Sequence, residues 1–138
     1  MALSTMSESQ TPNTAVLLSR IFLDIENPRF DENVIKLAED IVAQGSLNPL
    51  ELVALLPVKS KGAQKGRRQS YVVAEGNRRV CALKLLTDPD RAPARFRRKI
   101  EDLAADWAPI KTVSSIIFED EQELRIWMKR LHEERNRR

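Results

Sequence analysis

Across the single residue Gly76 the hydrophobic period of this chain changes from two to 3.6, and that change constrains the fold more than any other feature. Before it, Tyr71-Val72-Val73-Ala74 reads as a β-strand; after it, Val80, Leu83, Leu85 and Leu86 recur at helical spacing until Pro89. The spacing predicts a strand that feeds directly into a helix over Asn77–Thr87. Such a junction belongs in a domain where helices are layered on a sheet.

The flanking segments extend this pattern. Ala15-Val16-Leu17-Leu18, continued by Ile21, Phe22, Leu23 and Ile25 and closed by Asn27-Pro28, reads as a first strand and a turn. Asp31 offers an N-cap to a helix in which Val34, Ile35, Leu37, Ala38, Ile41 and Val42 share one face, and Gly45 supplies the stop. Pro49 blocks continuation, and the apolar residues between Leu50 and Val58 predict a second strand. The polar, basic, glycine-bearing stretch 59–69 reads as a long hairpin tip that returns the chain to Tyr71. Helices over 94–106 and 121–135 enclose a strand over 113–118. The order β-α-β-β-α-α-β-α predicts a mixed α/β (α+β) domain, a small mixed sheet with helices packed on it.

With 138 residues, 42% of them hydrophobic, the chain suffices for one domain and is too short for two ordinary ones. That domain is expected over 15–138, after a polar lead, 1–14, expected to be disordered. Cys81 is alone, so neither an internal disulfide nor a cysteine-based zinc site can form, which fits a reducing compartment. No stretch approaches the ~20 apolar residues of a membrane span. A cytoplasmic protein without membrane contact is expected.

The net charge of +3 conceals an asymmetry. Residues 59–99 hold thirteen Lys or Arg against three acids, Glu75, Asp88 and Asp90. A segment this basic suits a phosphate-bearing partner, and Lys61, Lys65, Arg67 and Arg68 on the hairpin tip, with Arg97 and Arg98 on the following helix, are candidate DNA contacts. For Arg95, Arg97, Arg98 and Lys99 a solvated helix face is the somewhat better account.

The chemistry concentrates at Glu75-Gly76-Asn77-Arg78-Arg79. The opening N–H groups of a helix have no intrahelical partner and carry partial positive charge, so an anion is favoured there. Gly76 permits close backbone approach, Asn77 can cap or hydrogen-bond, and Arg78 and Arg79 bring guanidinium forks suited to phosphate. Two arginines in a first turn oppose the helix dipole, and a bound anion would explain them. Ion pairs with Glu75, Asp88 or Glu39 would explain them too. His132, the single histidine, reads as an exposed helix residue, and Trp107 and Trp127 as core or core-covering residues.

Asn27-Pro28-Arg29, the Gly45-x-x-x-Pro49-Leu50 spacing, the β-run into Glu75-Gly76-Asn77-Arg78-Arg79-Val80-Cys81-Ala82, the strand over 113–118 and the closing helix follow one another as in the ParB/sulfiredoxin-like N-terminal domain. The chain resembles that family over roughly 15–135. The resemblance implies a compact ParB/sulfiredoxin-like fold and a nucleotide, CTP or ATP, bound with Mg²⁺. Gly76, Asn77, Arg78 and Arg79 would hold its phosphates, Gly45, Asn48 and Pro49 would lie near the base, and Arg29 and Arg135 would be further binding residues. Partition proteins have an acid after the glycine where this chain has Asn77, which counts against hydrolysis of their type. Sulfiredoxins have a reactive cysteine at that position, which counts against sulfinic acid reduction here. The later Asn-x-x-Arg of partition proteins has its nearest counterpart in His132-Glu133-Glu134-Arg135. The expectation is a nucleotide-binding domain of a DNA-associated system, with a second copy of the chain a candidate partner. The alternative is a catalytic domain, transferring phosphoryl groups or cleaving DNA, with Glu75 as general base or Mg²⁺ ligand and Asp24, Glu26 or Glu119 as acidic companions.

Overall fold

The computed structural model describes residues 14–23, 31–48, 51–58 and 69–136. Five strands form one mixed sheet: β1 (Thr14–Leu17), β2 (Ile21–Phe22), β3 (Val53–Pro57), β4 (Tyr71–Glu75) and β5 (Thr112–Ile117), in the spatial order β1-β5-β3-β4-β2. The pairs β1/β5 and β3/β4 are antiparallel, and β3/β5 and β2/β4 are parallel. Four helices complete the α+β fold: α1 (Glu32–Gln44), α2 (Asn77–Thr87), α3 (Ala94–Ala105) and α4 (Glu121–Asn136).

The apolar run read as one first strand is in fact two. A 3-10 turn, Leu18–Arg20, separates β1 from β2, and the two lie at opposite edges of the sheet. Local hydrophobicity carries no information on which partner a strand finds, so a single apolar run can serve both edges.

The other boundaries follow their local chemistry. Asp31 caps α1, its carboxylate accepting from Val34 N at 3.1 Å, and Gly45 ends the helix in the left-handed conformation at φ 81°. Strands β3 and β4 pair as a hairpin would, although its tip lies outside the described residues. Within α2, Val80, Cys81, Ala82, Leu83, Leu85 and Leu86 are all buried. A helix buried nearly all round is an interior element, and α2 packs against both α1 and α3.

Residues alternate across the sheet. Val53, Leu55, Val73, Val113 and Ile117 join the main core with α1, α2 and α3, including Ile100 and Trp107. Ala54 and Phe118, with Leu56, Ala74 and Ile116, form a smaller cluster under α4, which contributes Leu124 and Met128. Trp127 does not cover the core: it is 49% exposed, with the Arg130 guanidinium 5.4 Å from its ring centre. Among the described residues no helix is long and apolar enough to cross a membrane.

Candidate functional site

The strand-to-helix turn lies where the two layers meet. Gly76 is the N-cap of α2 at φ 100° and ψ 21°, in the left-handed region. A Cβ there would sit 3.1 Å from Val53 Cγ2 and 3.3 Å from an Arg79 guanidinium nitrogen, so the turn needs glycine for its conformation and for its closeness to β3. Glycine provides no side-chain cap, and the first turn of α2 contains no acid. The Asn77 side chain hydrogen-bonds to the preceding strand, its Nδ2 donating back to Val73 O at 3.4 Å.

The two arginines diverge. Arg79 is 16% exposed, its Nε 3.2 Å from Glu51 Oε2 and its Nη1 donating to Leu52 O at 3.5 Å, so it clamps α2 to the approach to β3. Arg78 is exposed and stands 3.7 Å from Asp31, the cap of α1. Neither pairing was among those suggested by sequence. Asp31 and Glu51 are distant along the chain, and only the packing of α1 and β3 beside α2 brings them near.

Helix α4 closes the other side. Residues Met128, His132 and Arg135 follow one another at i, i+4 and i+7, on a single helix face. With Leu37 and the turn 74–79 they line a cleft of about 510 Å³. Glu75, at the end of β4, is enclosed between them: Oε1 accepts from an Arg135 guanidinium nitrogen at 3.5 Å, and Oε2 lies 3.6 Å from His132 Nε2. His132 is thus exposed, as its sequence position suggested, and also part of the cleft. Its helical register with Arg135 was the signal that could have placed it there.

The remaining candidates are dispersed. Gly45 and Asn48 lie at and beyond the end of α1, away from the lining of this cleft. Arg29, Pro49, Lys61, Lys65, Arg67 and Arg68 lie outside the described residues, as do Asp24 and Glu26. Arg97 and Arg98 are both exposed, and Arg97 also donates to Ala92 O at 3.1 Å, pinning the turn before α3. Glu119 is exposed just beyond β5.

Among the described residues no group of three or more His, Cys, Asp or Glu could hold a metal ion. Both oxygens of Glu75 face groups that bear or can accept positive charge, which competes with a cation. These residues do not fit a metal held by the protein alone. Cys81, one turn into α2, is buried, and burial first, then the negative charge of Asp31, pushes its thiol up to about 11, so it stays protonated and unreactive at neutral pH.

No family model, curated protein or solved structure matches this chain.

Proposed function

We propose that this domain binds a nucleoside triphosphate, CTP or ATP, with its phosphates at the turn from Glu75 to Arg79. The observation that carries the reading is the convergence of an uncapped, acid-free helix start with Arg78, Arg79 and Arg135 around one cleft. Its volume lies within the ~300–1,000 Å³ usual for small-molecule sites. The motif order shared with the ParB/sulfiredoxin-like domain supports the same reading and suggests a DNA-associated role. Arg78 and Arg135, whose side chains are exposed, are the phosphate partners in this scheme, and Arg79 chiefly holds the turn in place. Mg²⁺ would arrive with the nucleotide, balanced by phosphate oxygens.

Calorimetric titration with CTP, ATP, GTP and ADP, with and without Mg²⁺, tests this directly. Loss of a charge-assisted hydrogen bond, about 1.5–3 kcal/mol, should weaken binding roughly 10- to 100-fold in Arg78→Ala or Arg135→Ala. Absence of heat with every nucleotide removes the proposal.

A catalytic reading rests on a different observation, the Glu75 carboxylate beside the His132 imidazole at the cleft. It requires phosphate release or plasmid cleavage that disappears in Glu75→Gln. Binding without turnover leaves the first reading alone.

A further inference from the structure

A second cleft, of about 470 Å³, opens at the other end of α2. Its floor is apolar, built from Leu17 at the end of β1 and Leu18 of the 3-10 turn that follows, together with Pro109 and Ile110 from the segment before β5. Leu18 N donates to Lys111 O at 2.8 Å, which fixes these two walls against each other. Leu17 is 50% exposed, one of few large apolar side chains left open among the described residues. An apolar ligand surface would cover it.

The rim is cationic. Lys84, Arg91 and Lys111 come from three separate segments to one cleft, against a single acid, Asp88. That acid is 3.4 Å from Arg91. Among the described residues neither Lys84 nor Lys111 forms an ion pair, and Lys84 Nζ donates to Leu18 O at 3.3 Å. Burial, and then the charge of Arg91, lowers the pKa of Lys84 below the ordinary lysine value. An anion seated in the cleft would offset both effects. Two carbonyls in the last turns of α2, where free carbonyls would repel an anion, are engaged: Leu83 O accepts from Thr87 Oγ1 at 2.8 Å and Lys84 O from Asp88 N at 2.9 Å.

We infer that this cleft binds a small organic carboxylate, its apolar body against Leu17, Leu18 and Ile110 and its carboxylate between Lys84 and Lys111. The site is separate from the turn at Gly76 and does not depend on nucleotide binding there.

Octanoate is the probe. Octylammonium, with the same body and opposite charge, and acetate, with the charge and almost no body, are its controls. Titration of the full chain should show saturable, single-site octanoate binding, no saturable binding of either control, and at least tenfold weaker octanoate affinity in Lys84→Met and in Lys111→Met. Should Lys84→Met fail to fold, as judged by circular dichroism, Lys111→Met, which alters an exposed side chain, decides the outcome. Absence of saturable octanoate binding, equal binding of octylammonium, or unchanged affinity in the folded lysine variants would overturn the inference.

Discussion

Gly76 shows how one residue sets both a conformation and a distance. Its φ of 100° and the 3.1 Å that would separate an added Cβ from Val53 leave a side chain no unstrained place, so Gly76→Ala should cost about 1–3 kcal/mol and displace Arg79. Chemical denaturation gives the cost, and an unchanged midpoint would show that the turn relaxes freely. The need for glycine here was legible in the sequence because the change of period at Gly76 is a local signal. The Arg78–Asp31 and Arg79–Glu51 pairs were not, because charge partners are selected through space. Cys81 carries a pH signature of its own. Its folded pKa is raised above the ordinary thiol value near 9.0, so the unfolded chain loses the proton first. The stability it contributes is full below about 9 and declines as pH rises towards about 11, by about 3 kcal/mol for a shift of this size. Lys84, whose pKa is lowered, works in the opposite direction over alkaline pH. Urea midpoints across this range should therefore fall less, or rise, in Cys81→Ala relative to the unmodified chain.

Among the elements, α4 is held lightly. Helices α1 and α2 are held by four and six buried residues, whereas α3 and α4 bury one each, Ile100 and Leu124. To Leu124, α4 adds the partly buried Met128 over Ala54, Ala74 and Phe118 and the contacts of His132 and Arg135 with Glu75 of β4. Leu124→Ala should cost about 2–3 kcal/mol. Amide exchange should accelerate across α4 far more than in α2, because sparsely packed elements open first. Since α4 carries His132 and Arg135, the same variant should also weaken nucleotide binding. Equal acceleration in α2 would mean that α4 is integral to the main core. The existence of α4 was evident from its helical period, as were α1, α2 and α3. Its position was not, since the period gives a helix its apolar face but does not say which face of a sheet receives it.

For the whole molecule, the fold redistributes charge that the sequence segregates. Basic residues of α2 and α3 meet acids of α1, of its cap and of the segment before β3: Arg78 with Asp31, Arg79 with Glu51, Lys99 with Glu39 at 3.2 Å. Exposed pairs of this kind contribute only up to about 1 kcal/mol each, but they reduce the field offered to a polyanion. If the tip 59–69 contacts duplex DNA, affinity should fall with salt by about 0.9 log units per log unit for each phosphate neutralised, without sequence preference. A variant with Lys59, Lys61, Lys65, Arg67 and Arg68 changed to Ser should lose most of that slope while folding normally. An unchanged slope on two unrelated duplexes would make the tip a solvated loop. The sequence by itself determined the number and type of most elements, the cap at Asp31, the stop at Gly45 and the strand-to-helix turn at Gly76, because each depends on period or backbone conformation within a few residues. Only the tertiary structure decided that one apolar run supplies both edges of the sheet, that α4 brings His132 and Arg135 to Glu75, and that Lys84 and Lys111 share a cleft. Those arrangements depend on which surfaces remain to be buried once the layers meet, and that is a property of the assembled domain.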